Sequence, residues 1–243
     1  MRNQPEGSTT RPDLNLDNLD PLESSFLRGC LIGDGWLGLQ RNKFVYLRIG
    51  HSSKQLEWLK WKADKLNKIL QKERCVLGPY KTKDSKGGNH LSYLYTVDDH
   101  KLFKTWFNRW YTPQQNQKTI KKIDFDFLYG LDLQALSILW CDDGSLWHSK
   151  RTKKHKLKSG QVKEYPYTET AGSIATCCFT YGENVLIADW IESLTAVRPL
   201  IGRDRKYYKL VFNKSKLLQF IPQIEKFVPD CMNYKVNLSQ CFK

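Results

Sequence analysis

Apolar positions fall into two periods along the chain, and the alternation between them sets out the elements. Phe26, Leu27, Leu31 and Ile32 mark a short helix that stops at Gly35, with Ser24 or Ser25 placed to cap it. Trp36 to Leu39, a polar turn at 40–43 and an extended run over 44–49 follow. In that run Phe44, Tyr46 and Arg48 share one face, and Val45, Leu47 and Ile49 share the other. Leu56, Leu59, Ala63, Leu66 and Leu70 return to helical spacing and predict a helix over about 53–71. A second hairpin is expected at 75–81 and 91–97, around Gly87-Gly88-Asn89. A helix over about 99–111 then ends before Pro113.

The second half replays this order. A helix over 132–143 leads to a short strand at 145–148, a long basic loop and a strand at 173–178. A helix over 182–195, a hairpin within 197–212 and a helix over 215–227 complete it. Residues repeat as well as elements. Tyr111-Thr112-Pro113 resembles Phe227-Val228-Pro229, and each proline precedes a lysine, Lys118 and Lys235, by five and six residues. The pattern predicts an α+β fold of two pseudo-symmetric αββαββα half-domains, 24–125 and 126–243, after a polar arm at 1–23. Each half has a four-stranded antiparallel sheet with helices on one face, which leaves the other face open to a ligand.

Composition adds a partner class. The net charge of +14 points to a polyanion. Residues 1–25 hold Arg2 and Arg11 against Glu6, Asp13, Asp17, Asp20 and Glu23, so the excess belongs to the folded part. No apolar run is long enough to span a membrane, and no membrane partner is expected. The seven cysteines are odd in number and form no C-x-x-C pair, which argues against a zinc site or a disulfide framework. With no secretory core at the N-terminus, the expected location is intracellular. The five histidines lack ligand spacing and read as surface or structural. Trp58, Trp61 and Trp190 read as core.

Candidate chemistry lies where two apolar helices run into an acid and a glycine: Leu27-Arg28-Gly29-Cys30-Leu31-Ile32-Gly33-Asp34-Gly35 and Leu136-Ser137-Ile138-Leu139-Trp140-Cys141-Asp142-Asp143-Gly144. A carboxylate at a helix C-terminus faces the negative end of the dipole. Finding it twice suggests a shared cation that offsets the repulsion, and hard oxygen ligands suit magnesium. Gly29 and Gly33 lie four apart and permit close helix packing. The second helix offers Ser137 as its small residue, while Ile138 and Asp142 predict looser or asymmetric packing there.

These two nine-residue segments resemble the motifs of the LAGLIDADG homing endonucleases in their single-chain, two-motif form. The resemblance extends through Lys118-Thr119-Ile120, Ser173-Ile174, Phe179-Thr180 and Tyr234-Lys235, and covers roughly 24–240. It implies half-domains joined at the two motif helices, saddle-shaped sheets, and magnesium-dependent cleavage of both strands of a long DNA site by a monomer. Asp34 and Asp143 would hold two or more metals with the backbone carbonyls of Gly33 and Asp142. Lys118 and Lys235 would serve the hydrolytic water or the phosphate charge. Double-stranded DNA would be gripped and read by Arg41, Lys43, Arg48, Lys81, Lys83, Lys150, Arg151, Lys153, Lys154, Arg203, Arg205 and Lys209. An organelle-encoded enzyme is the first expectation for such a chain, with a bacterial cytoplasm as the alternative. An intron-encoded RNA maturase, bound to its host intron RNA, is the alternative function. A DNA-binding regulator of the same fold would be expected to lack the acids that are present here.

Overall fold

The computed structural model describes residues 19–41, 44–83, 88–98, 100–113 and 119–239. In chain order the elements are α1 (Pro21–Ile32), β1 (Gly35–Gln40), β2 (Phe44–Ser52), α2 (Leu56–Leu70), β3 (Leu77–Lys83), β4 (Asn89–Asp98), α3 (His100–Trp110), β5 (Tyr111–Pro113) and β6 (Thr119–Lys121). They continue with α4 (Phe125–Leu128), α5 (Leu133–Asp143), β7 (Gly144–Lys156), β8 (Val162–Ile174), α6 (Tyr181–Thr195), β9 (Leu200–Asp204), β10 (Tyr207–Asn213) and α7 (Lys214–Ile224). Two four-stranded antiparallel sheets are ordered β1-β2-β4-β3 and β7-β8-β10-β9, the same order in each half. This is the expected α+β duplication. No helix among the described residues is long and apolar enough to cross a membrane.

Several local expectations are corrected. Helix α1 begins at Pro21, inside the stretch assigned to the arm, and is capped by Asp20, whose carboxylate accepts from Leu22 N at 2.7 Å. Proline at the first helical position needs no hydrogen bond from its nitrogen, so Asp20-Pro21 starts the helix better than Ser24 or Ser25 could. Ser25 is buried and instead donates to Asp132 Oδ1 at 2.7 Å. The basic stretch after the second motif is no loop. It is strand β7, paired with β8 in unbroken register from Gly144↔Ile174 to Lys156↔Val162. β8 accordingly ends at Ile174, where the sequence pattern placed a strand over 173–178. The first motif hairpin returns within 14 residues, from Gly35 to its partner Ile49, and the second takes 30, from Gly144 to Ile174. A small two-stranded sheet, β5 with β6, was not anticipated.

Helices α1 and α5 pack side by side in parallel. The Ser25–Asp132 contact joins their N-terminal ends, and Gly33 meets Asp142 at their C-terminal ends. At the crossing, a Cβ on Gly29 would lie 2.8 Å from Ala135 Cα, so glycine is what allows the approach. The small residue opposite is Ala135, not Ser137, whose hydroxyl turns back to Gln134 O at 2.7 Å. Arg28 anchors the pair to the connection between the halves, donating through Nη1 to the carbonyls of Phe127 (3.0 Å) and Tyr129 (2.8 Å) around the end of α4. Burial follows the expected faces. Val45, Leu47, Ile49, Tyr95 and Val97 face the helices in one half, and Ile174, Leu210 and Phe212 do so in the other. Cys30 and Cys141 are buried among them and free.

Candidate metal-dependent site and nucleic-acid interface

Helix α1 ends one residue before Gly33, and α5 ends at Asp143, so each motif acid sits where its helix stops. Both carboxyls are pushed up, Asp34 to about 6 and Asp143 to about 7. The largest cause for each is burial. Next comes the neighbouring acid charge: Asp142 for Asp34, and Asp34 then Asp142 for Asp143. The acids at the two helix ends therefore act on one another electrostatically.

Two half-buried lysines answer that charge in matching positions. Lys235 Nζ donates to Gly144 O at 2.6 Å and Asp142 O at 3.4 Å. Trp140 Nε1 holds the same short 3-10 helix, Asp230–Lys235, through the Lys235 carbonyl, 2.9 Å away. In the first half the equivalent ammonium belongs to Lys121, on β6. It donates to Gly33 O and Gly35 O at 3.1 Å each, and also to Leu31 O. The sequence pattern nominated Lys118 here, which lies outside the described residues. Pro113 ends β5 and pairs with Thr119 at the start of β6, so Lys121 comes eight residues after the proline and counting five or six residues from it misses the lysine. Burial lowers the pKa of both Lys121 and Lys235, and the acids oppose that shift.

His51 is a further site residue that spacing did not reveal. It continues the inward series Val45, Leu47, Ile49 along β2, and that continuation was the available signal. Its Nδ1 lies 3.5 Å from Asp34 Oδ2 and 3.3 Å from Gln55 Oε1. Its Nε2 is buried without a hydrogen-bond partner, 3.7 Å from Asp142 Oδ1. Burial, then the Lys62 charge, lowers the imidazole pKa to about 4, so the ring is neutral near pH 7.

The Asp142 side chain has a partner set that the sequence pattern did not indicate. It leaves α5 and enters the first half, accepting from Trp58 Nε1 at 2.6 Å, Lys62 Nζ at 2.8 Å and Asp34 N at 3.1 Å. The packing there is asymmetric but tight rather than loose. Gly33 provides the room, since a Cβ on it would meet Asp142 Oδ2 at 2.4 Å. Burial alone would raise this carboxyl, but the Lys62 ammonium and the hydrogen bonds from Lys62 and Trp58 hold it below the usual range. Asp34, His51 and Asp142 offer ligand atoms within 4.8 Å of one another. The Asp142 carboxylate is already neutralised by Lys62, so it acts as a structural counter-ion, and only its backbone carbonyl fits the role of a metal donor. Trp58 is core, as expected, and stacks on Trp61 at 4.9 Å.

The twelve DNA-contact candidates divide by strand register. Arg48, Arg151, Lys153 and Lys209 point away from the helices, on the open sheet faces. Lys81, Lys83, Lys150, Lys154 and Arg203 take the opposite parity and project at the exposed strand ends or edges. Arg41 and Arg205 occupy hairpin turns with left-handed backbone, φ 51° and 56°. Lys43 lies outside the described residues. Arg151 pairs with Glu169 at 3.0 Å, Lys154 with Glu164 at 2.8 Å and Lys209 with Asp204 at 3.4 Å. Such exposed pairs contribute little and leave the cations available to a stronger anion. Exposed Tyr165 and Tyr167 lie among them.

Known proteins share this architecture. The homing endonuclease I-WcaI bound to its DNA recognition sequence superposes with a TM-score of 0.66 at 17% identity, over 90% of this chain and 87% of that one. Meganuclease I-SmaMI bound to uncleavable DNA gives a TM-score of 0.51 at 12% identity, over 89% and 86%. Among curated proteins, RecA of Mycobacterium shimoidei is 24% identical over 247 residues, 96% of this chain and 52% of that protein. RecA of Mycolicibacterium flavescens is 22% identical over 214 residues, 86% and 44%. The chain thus spans about half the length of the curated relatives it matches. Residues 24–220, which take in both motif helices, match the LAGLIDADG DNA endonuclease family, and the chain belongs to it.

Proposed function

We propose that the protein is a monomeric, site-specific, metal-dependent DNA endonuclease that breaks both strands of a long asymmetric target and promotes the homing of an intron carrying its gene. The observation that carries this reading is a repeated arrangement at one junction, an acid at each helix end with a half-buried lysine on the carbonyls flanking it: Lys121 on Gly33 and Gly35 around Asp34, and Lys235 on Asp142 and Gly144 around Asp143. The donor set suits a hard divalent cation. It comprises two carboxyls kept from easy ionisation by burial and mutual repulsion, with the carbonyls of Gly33 and Asp142 beside them. When bound, Mg2+ would polarise the scissile phosphate and make its bound water a better nucleophile. Asp34 and Asp143 would hold it. Lys121 and Lys235 place positive charge in a low-dielectric site, where it counters the negative charge growing on the phosphate.

Recognition would fall to the open sheet faces. A two-stranded ribbon can enter the major groove, where Arg48, Arg151, Lys153 and Lys209 could reach base edges while the remaining cations grip phosphates. Halves that repeat in topology but differ in residues suit a target whose two sides differ.

The test is cleavage selection from a randomised plasmid library, with Mg2+ and with EDTA. Magnesium-dependent linearisation is expected, with loss of double-strand cleavage but retained DNA binding in Asp34→Asn and Asp143→Asn. Full cleavage by either variant would refute the assignment. A splicing assay on the flanking intron transcript, run in parallel, separates the maturase alternative.

A further inference from the structure

Asp34 and Asp143 are related by the internal repeat, but their supports are not. The register Gly35↔Ile49 matches Gly144↔Ile174, and the left-handed helix ends Gln71 (φ 50°) and Ala196 (φ 54°) keep the same spacing from those isoleucines. Helix α2 therefore aligns with α6 residue by residue. On that alignment His51, Trp58 and Lys62 correspond to Thr176, Glu183 and Ile187, and Asp142 corresponds to Gly33.

The counterparts are employed elsewhere. Thr176 donates to Asn184 Oδ1, and Glu183 caps α6 through Thr180 and accepts Ile123 N at 2.9 Å. Ile187 is apolar core. Around Asp34, by contrast, one connected set spans both halves. Lys62 and Trp58, one helical turn apart on α2, both donate to Asp142 Oδ1, and Asp142 Oδ2 accepts the backbone N–H of Asp34. The side chains of Lys62 and Asp142 have no solvent exposure. A buried ion pair is a poor way to gain stability, because desolvation offsets much of the attraction. Its effect here is geometric, since it fixes a carboxylate against the residue that carries the first acid.

We propose that Lys62 and Trp58 are positioning residues that act through the Asp142 side chain to hold Asp34 in place, so that the two half-sites cut their DNA strands by differently supported routes. This rests on the endonuclease reading. The arrangement predicts strand-selective sensitivity, because loosening the set disturbs Asp34 and leaves the lysine and backbone contacts around Asp143 intact.

The experiment is cleavage of a supercoiled plasmid carrying one selected target, with each strand separately end-labelled. Lys62→Met should slow scission of one strand by about tenfold or more while the other stays within about twofold, so that nicked circles accumulate. Trp58→Phe removes only the N–H donor and should slow the same strand by about twofold to threefold. If Lys62→Met fails to fold with its stranded carboxylate, Lys62→Met/Asp142→Asn neutralises both partners and is expected to show the same strand bias. Equal slowing of both strands in folded variants, or unchanged cutting of both, overturns the proposal while the endonuclease reading stands. A wild-type protein that cuts no DNA overturns that reading and this proposal together.

Discussion

At the first half-site Asp34 stands 3.5 Å from a neutral imidazole, and its backbone N–H is held by a buried carboxylate that crosses from the other half. At the second, the Asp143 carbonyl accepts a bond from Ala175 N at 3.0 Å, and burial together with the charges of Asp34 and Asp142 raises the carboxyl pKa. What the halves retain in common is the acid, the helix end beneath it and the lysine gripping the carbonyls around it. What they do not share is the layer behind. Duplication here has kept the groups at the junction of the two helix ends and let their supports diverge.

The comparison can be broken most sharply at the acids. Asp34→Asn and Asp143→Asn should each reduce double-strand cleavage by about 10^2–10^3-fold, with DNA affinity in gel-shift titrations nearly unchanged. If one variant still linearises plasmid at the wild-type rate, the halves do not form a joint site. Next in size are the lysines: Lys121→Met and Lys235→Met should each lower the single-turnover cleavage rate by about 10-fold or more. A neutral Lys121→Met beside a damaged Lys235→Met would break the equivalence and return Lys118 to contention.

The interface gives the next effect. Arg48→Ala, in the first half, should relax base preference at a cost of about 1–3 kcal/mol, read by specificity profiling. Lys150→Ala or Lys154→Ala, of the opposite parity on the second ribbon, should instead weaken binding evenly across sequences and reduce the salt slope by about 1. The smallest effect concerns stability without metal. A carboxyl whose folded pKa is raised stabilises the fold below its unfolded value near 4, and that contribution is lost as pH rises through the folded value, about 7 for Asp143. Asp143→Asn should therefore raise the melting temperature in EDTA at pH 8, by about 2–4 °C per kcal/mol relieved, and lose the advantage below about pH 4. Asp34→Asn should shift the melting temperature in the same direction, since burial and the Asp142 charge raise Asp34 as well.

The elements with one buried face were legible in the sequence. Leu56 to Leu70 announced α2, and Val45, Leu47 and Ile49 announced β2, because apolar period reports which side meets a core. The outer part of β7 was not legible, for the same reason. Residues 150–156 are all exposed, so no alternation exists to read, and the strand is defined by its ladder to β8. The acids were evident because the helix-acid-glycine pattern is local. Lys121, His51 and the Asp142 side chain were not, because each reaches the site across a sheet or between halves. Asp142 lies 80 residues from Lys62 and 108 from Asp34, and only packing brings the three together.

The unequal motif hairpins also bear on how the target is laid out. At about 3.3 Å per residue, the 13 residues of β7 extend roughly 23 Å beyond the 6 of β1. The other hairpin tilts the opposite way, with β3 and β4 longer than β9 and β10, but by only two or three residues. With about 3.4 Å per base pair, the net excess of four to five residues would correspond to roughly four to five base pairs of additional reach on the side of the second half. The protected stretch in a nuclease footprint should then be lopsided about the break, and truncating the target should be tolerated less well on that longer flank.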